Sequence, residues 1–344
     1  MKHDPRILVV DDPSFDAHQP PGYHPERPER LASARSAVVR SEAAVTQVPA
    51  RPATRAELER VHAPAYLDAL DRLRGATTQL DADTYVAPAS VDAAHRAAGG
   101  LIELVDAVMA ADDVGSRKGV ALLRPPGHHA RPDRGMGFCL VNSVAVAAAH
   151  ARARGLSRVL VMDWDVHHGN GTQEMFFRDP SVLYISTHQY PFYPGTGAAD
   201  ERGDGDGRGY TVNVPLFAGG GDAVYRAAFE RVILPVVERY APELVLVSAG
   251  FDPAQRDPLA GMEVSAAAFG WMAARLADAA ERSAGGRMIL ALEGGYDLPS
   301  LESGLAAAIT GMTTRAASEI SRNPDAADVA RAATAASATW SVVE

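Results

Sequence analysis

Residues 159–171 read VLVMDWDVHHGNG. Four consecutive apolar residues run into Asp163, Asp165, His167 and His168, and glycines close the stretch. A short, unalternating apolar run bounded by glycine and charge marks a parallel strand buried on both faces. Five further runs share that form: ILVV (7–10), VALL (120–123), VLYIS (182–186), LVLVS (244–248) and MILAL (288–292). Alanine-rich stretches of helical composition fall between them at 91–112, 142–154, 222–240 and 264–283. TRAE at 54–57 is a capping box for another helix, and Gly155 fits a helix C-terminus. This alternation predicts an open α/β sheet covered by helices on both faces.

The chain has 344 residues, 47% hydrophobic and 22% charged, so a sizeable core forms and global disorder is excluded. A formal net charge of −10 argues against general affinity for nucleic-acid backbones, though not against basic protein tails. The one cysteine, Cys139, rules out an internal disulfide and fits a reducing, cytoplasmic setting. The apolar run in MKHDPRILVVDD is too short for a signal peptide, and no run reaches the length of a membrane span. Neither secretion nor membrane insertion is therefore expected. No internal repeat or dividing linker is evident, so residues 1–344 are expected to form a single domain. Its alanine-rich extension from about 313 forms a final helix or frays. AADERGDGDGRG (198–209) reads as a surface excursion and lacks the lysine of a phosphate loop.

The apolar runs end in chemically similar residues: RPPGHHA (124–130), DWDVHHGNG (163–171), THQYPFYPGTG (187–197), AGFDP (249–253) and EGGYD (293–297). Sites in open α/β sheets form outside the carboxyl ends of strands, so five segments are expected to share one crevice. Five of the eleven histidines lie in them. Asp165 and His167 are two residues apart and face one way in an extended segment. With Asp252 they make three protein ligands, which leaves a position for water as in catalytic zinc sites. Such a metal makes a hydroxide-like nucleophile and polarises a carbonyl. Taken alone, Asp165 and His167 also fit a solvated strand end; the convergence of segments favours a site. The adjacent His128 and His129 face different partners. Asp163 is a charged acceptor that favours a cationic imidazole. Asn170 is a neutral one that leaves its partner free to exchange protons near neutrality. Tyr296 follows two glycines that let the backbone present a phenol to a developing oxyanion. Phe138, in GFC (137–139), and Tyr193 either wall an apolar channel or pack at loop bases.

Together with HPERPERL (24–31), GFCLVN (137–142), STHQYPFYPGTG (186–197) and LEGGYDL (292–298), these segments resemble the zinc-dependent histone deacetylase family from about residue 5 to 312. Asn170 stands where class I enzymes carry aspartate, which resembles the class II branch, and the compact size points to a bacterial deacetylase-like amidohydrolase. The resemblance implies the arginase-like three-layer α/β fold with an eight-stranded, mostly parallel sheet and the site at the strand C-terminal ends. It implies zinc on Asp165, His167 and Asp252, His129 as general base, His128 beside Asp163 as electrostatic partner, and Tyr296 as oxyanion donor. It also implies a tunnel for the acylated side chain walled by Gly137, Phe138 and Tyr193 with Leu259 at the rim. Asp83 would hold the substrate backbone, and Arg30 would line a product channel. Structural potassium is implied at Asp163, Asp165, His167, Ser186 and Thr187, with a second ion near Phe176, Asp179, Val182 and Tyr210.

The expected reaction is hydrolysis of an acetyl or longer acyl amide on a lysine side chain or related alkylamine. An acetylpolyamine deacetylase is the alternative, disfavoured by Leu259 where one polyamine-specific relative has an acidic gatekeeper. An arginase-like binuclear manganese hydrolase and a non-catalytic acyl-lysine binder are further alternatives. Ligand type does not separate zinc from iron(II). His168 has no role in this reading.

Overall fold

A computed structural model describes residues 6–113, 117–322 and 326–340. Its strands, in chain order, are β1 (Arg6–Val10), β2 (Ala44–Gln47), β3 (Thr78–Gln79), β4 (Tyr85–Val86), β5 (Lys118–Ala121), β6 (Val159–Asp163), β7 (Val182–Gln189), β8 (Thr211–Leu216), β9 (Leu244–Ala249) and β10 (Met288–Leu292). Eight of them form one sheet in the order β2-β1-β5-β10-β9-β6-β7-β8, every neighbouring pair parallel, while β3 and β4 make a small antiparallel ribbon. All six apolar runs lie in or at the ends of these strands. Every residue of β5, β6, β7, β9 and β10 is buried, as expected for strands with both faces covered.

The helices are α1 (Glu29–Arg40), α2 (Arg55–Leu58), α3 (Pro64–Asp71), α4 (Ser90–Ala110), α5 (Ser143–Ala153), α6 (Asn170–Phe176), α7 (Asp222–Ala228), α8 (Leu234–Tyr240), α9 (Ala266–Ser283), α10 (Leu298–Thr314) and α11 (Ala327–Trp340). Thr54 and Glu57 form the expected capping box at α2, and Gly155 follows the C-cap of α5 with φ +99°. The helical stretch 222–240 is helical throughout, with the π-helical turn Phe229–Ile233 joining α7 to α8, which has proline in its first turn. α4 and α5 pack together against the sheet, as do α9 and α10, and α1 packs on α10. The alanine-rich extension becomes α11, which lies on β8. There Trp340 Nε1 donates to the Gly209 carbonyl at 2.7 Å, and its ring meets Tyr210 and Tyr240 edge-on.

Two strands of the main sheet escaped the sequence reading, and both are its edges; the short ribbon β3-β4 escaped it as well. β2 is exposed along its whole length, and β8 carries Pro215, which only an edge or strand end tolerates. The order of the sheet explains the site. The five strands whose ends carry the chemistry, β5-β10-β9-β6-β7, are consecutive neighbours. Their registers bring Asp163 level with Ser186 and Ser248, and Leu292 level with Ala249. Val159, Leu160, Val161 and Met162 are fully buried, each contributing about 1.5–3 kcal/mol. This anchors β6 strongly enough to carry the buried carboxylate of Asp163 that follows.

Candidate active site

Asp165 and His167 leave the end of β6, and Asp252 leaves the end of β9. Their ligand atoms lie within 4.8 Å of one another. His167 Nδ1 is 3.3 Å from Asp165 Oδ1 and 3.2 Å from Asp252 Oδ2. Backbone amides fix both carboxylates: Gly294 donates to Asp165 Oδ2 at 2.8 Å, and Val166 to Asp252 Oδ1 at 2.9 Å. A Cβ on Gly294 would overlap both carboxylates, so only glycine permits this approach. Burial, reinforced by the Asp165 charge, pushes Asp252 up to about 7. Against burial, hydrogen bonds to Asp165 and Asp252 push His167 up to about 10. The protein thus places two buried carboxylates and an imidazole where a positive charge is required. An oxygen-oxygen-nitrogen set with this demand fits a divalent ion of the zinc class.

His128 and His129 follow β5. His128 Nδ1 lies 3.0 Å from Asp163 Oδ2, which also accepts from the Tyr184 hydroxyl at 3.2 Å. Against burial, the carboxylates of Asp165 and Asp163 hold His128 well above the ordinary histidine range. His129 Nδ1 lies 2.8 Å from Asn170 Oδ1. Burial and then the neighbouring His128 and His167 hold His129 well below that range. The two imidazoles are tilted 44° with centroids 4.0 Å apart, so neighbours in sequence have opposite electrostatic settings. The turn carrying them is tied to the end of β10, where Glu293 Oε2 accepts from the amides of Gly127 (2.6 Å) and His128 (3.2 Å).

A cavity of about 250 Å³ opens onto this group. His128, His129, His167, Gly294 and Tyr296 line it, with Pro126, Gly137, Phe138, Phe192, Tyr193 and Leu259, and the exposed Asp83 contributes as well. Gly137 (φ +57°) and Phe138 (φ +68°) are both left-handed, and a Cβ on Gly137 would meet His129 Cδ2 at 2.5 Å. A left-handed phenylalanine costs about 1–3 kcal/mol, a cost characteristic of functional sites. Tyr193 meets His129 edge-on at 5.1 Å, and Phe192 stacks on His167 at 5.5 Å and 18°. Burial keeps the Tyr296 phenol well above its ordinary pKa, hence a donor. Asp257 Oδ2 accepts from the Tyr296 amide at 2.6 Å, and the Arg30 guanidinium lies over the ring at 4.9 Å. Arg30 is itself fully buried, donating to the carbonyls of Gly295 (2.7 Å) and Glu293 and to Glu26.

The structure thus brings together around one cavity the ligand set, the histidine pair with its acceptors, Tyr296, Gly137, Phe138, Tyr193, Leu259 and Asp83. Arg30 lies directly behind. Ser186 and Thr187 are buried on β7 beside Asp163, and the Thr187 hydroxyl has no hydrogen-bond partner among the described residues. Phe176, Asp179 and Val182 are linked by backbone hydrogen bonds, Asp179 N to Phe176 O and Val182 N to Asp179 O, while the Tyr210 carbonyl accepts from Tyr184 N, two residues beyond Val182. Sequence reasoning missed Glu293, Asp257 and Phe192. Each sits inside or beside a quoted motif, yet acts through backbone amides or stacking that no spacing rule reveals.

The histone deacetylase domain family matches residues 24–312. The chain is 45% identical over 250 residues to a histone deacetylase-like amidohydrolase of Pseudomonas aeruginosa, covering 72% of this chain and 65% of that one. It is 42% identical over 311 residues to a human polyamine deacetylase, covering 86% of this chain and 44% of that one. The crystal structure of the HDA15 HD domain superposes with a TM-score of 0.89 at 39% identity, covering 98% of this chain and 97% of that one. The chain spans 55–65% of the length of three plant and bacterial relatives that it matches. Among the described residues, no helix is long and apolar enough to cross a membrane.

Proposed function

The chain belongs to the histone deacetylase family, and on that premise we propose that it hydrolyses the amide of an acylated lysine side chain or related alkylamine, with a metal held by Asp165, His167 and Asp252. The observation that carries this is the convergence of those three donors with His129 and Tyr296 on one apolar-walled cavity. When bound there, a zinc-class ion supplies Lewis acidity toward the carbonyl oxygen and lowers the pKa of its water.

The chain's own residues do the rest. An amide oxygen only accepts, so Asn170 Oδ1 fixes the ring proton of His129 on Nδ1 and leaves Nε2 as the base. His129 Nε2 takes the proton of the attacking water, then returns it to the nitrogen as the C–N bond breaks and the amine and carboxylate part. His128, held cationic by Asp163 and Asp165, opposes the negative charge that develops. The Tyr296 hydroxyl donates to the oxyanion, a contribution of about 3–4 kcal/mol for a donor of this kind. Phe138, Phe192 and Tyr193 hold the alkyl chain, Asp83 meets the substrate at the rim, and Arg30 stands on the path of the released acid. We take residues 1–344 as one catalytic domain, cytoplasmic, with potassium at the two sites given above and zinc rather than iron(II) as the working ion.

A polyamine substrate is the second reading, favoured by the similarity to the human polyamine deacetylase and opposed by the apolar Leu259 in the cavity. The test is a panel of acyl-lysine peptides and acetylpolyamines, run with metal content measured, against wild type, Tyr296→Phe and His129→Ala. Turnover of an acetyl-lysine peptide that both substitutions suppress is expected. Wild-type rates in both folded variants would contradict the proposal.

A further inference from the structure

His168 follows a proposed metal ligand yet turns away from the cavity into the base of the loop 190–197. Its Nε2 lies 2.9 Å from Gln173 Oε1, and its Nδ1 lies 2.8 Å from Thr196 Oγ1. The neighbours decide the direction of both bonds. Gln173 Nε2 donates to Glu201 Oε2 at 2.6 Å, so Gln173 presents its oxygen to His168 and to Asn213 Nδ2 at 2.7 Å. His168 Nε2 is therefore the donor, and Nδ1 accepts from the Thr196 hydroxyl. His188 works beside it: Nε2 donates to the Gly197 carbonyl and Nδ1 accepts from Ser186 Oγ, both at 2.8 Å. Glu201 Oε1 completes the set, accepting from the amides of Gly197 (3.0 Å) and Ala198 (3.1 Å). Gly197 has φ +93°, and a Cβ there would overlap both imidazoles, so the loop backbone lies directly against them.

We propose that His168 is a positioning residue for the substrate tunnel, clamping Thr196–Gly197 together with His188 so that Phe192 and Tyr193 stay against the cavity. The wall aromatics sit only three to five residues upstream of the clamp. Tyr193 is 37% exposed, so little packing holds its outer side. Phe192 lies flat on His167 and Tyr193 edge-on to His129, and a loop that drifts loses both contacts. His168 accordingly acts on the fit of the alkyl chain, whereas the ligand set and the base have their own, separate anchors. This rests on the reading of the cavity as an acyl-amine tunnel.

The experiment compares Thr196→Val, Thr196→Ser and His168→Asn with wild type as metal-loaded proteins, by steady-state kinetics on a fluorogenic acetyl-lysine peptide, metal content and amide hydrogen exchange. Thr196→Val and His168→Asn are expected to raise KM roughly five- to tenfold, the effect of losing one ordinary hydrogen bond, with kcat within about threefold. Exchange should quicken over 190–198 alone, metal content should hold, and Thr196→Ser should behave as wild type. A fall in kcat with KM unchanged, loss of the metal, or unaltered exchange over 190–198 overturns the proposal. If His168→Asn does not fold, Thr196→Val decides alone. A wild-type protein without deacylase activity would reject the proposed function, while the exchange data would still decide the clamp.

Discussion

Glu293 offers a sharp test of how the histidine pair is held. Its Oε2 accepts from two buried amides, those of Gly127 and His128, at 2.6 and 3.2 Å. Glu293→Ala strands both N–H groups without water, at about 1–3 kcal/mol each. A total of about 2–6 kcal/mol follows. With unfolding entropy of roughly 2.1 cal/mol/K per residue, a chain of this length loses about 3–8 °C in Tm. Glu293→Gln behaves differently. Both bonds end on the same oxygen, so one amide oxygen can accept both. Burial pushes Glu293 up to about 7, so the carboxyl is partly protonated at neutral pH and the amide resembles that neutral form. The glutamine variant is expected within about 2 °C of wild type, with kcat/KM retained, whereas alanine loses at least roughly tenfold as the turn bearing His129 relaxes. Thermal melts by circular dichroism at pH 7, with initial rates on an acetyl-lysine peptide, measure both. A glutamine variant as damaged as alanine, or an alanine variant melting with wild type, would refute the reasoning.

Other expectations follow from the same geometry. Tyr296→Phe should lower kcat roughly 10²- to 10³-fold with KM little changed, read from steady-state kinetics on the same peptide. Burial pushes His62 down to about 4, below the ordinary 6.5, so the folded chain binds fewer protons than the unfolded one between those values. Its stabilisation is complete above pH 6.5 and is lost as pH falls through 4, by up to about 3 kcal/mol. Urea titrations across that range should show this slope, and His62→Gln should flatten it. Trp340→Ala removes the bond to Gly209 and two ring contacts, about 2 kcal/mol in all, and should lower Tm by roughly 3 °C while leaving KM unchanged.

How much of this was legible in the sequence follows from where each residue's partners lie. The central strands were readable because burial on both faces leaves unbroken runs such as VLVM and MILAL. Edge strands β2 and β8 were not, since exposed AVTQ and proline-bearing TVNVPL lack that signal. The ligand candidates and Tyr296 stood out because they end those strands, and the sheet order, invisible in sequence, then made the strand ends neighbours. His128 and His129 were readable as a pair with two unlike acceptors. The residues that hold the site were hidden. Glu293 reaches back 165 positions to His128, and the role of His168 emerges only with Gln173, Thr196 and Glu201. Such hydrogen bonds have no periodicity to betray them.

The central claim is a single metal held by Asp165, His167 and Asp252 and required for amide hydrolysis. The most direct measurement is a zinc titration of chelator-stripped protein, following bound metal and acetyl-lysine turnover together, with Asp252→Asn alongside. Turnover is expected to return in step with one tightly bound equivalent, and the variant, though folded, is expected neither to retain that equivalent nor to turn over substrate. Full turnover by the stripped protein, a requirement for two equivalents, or undiminished activity in Asp252→Asn would contradict that claim.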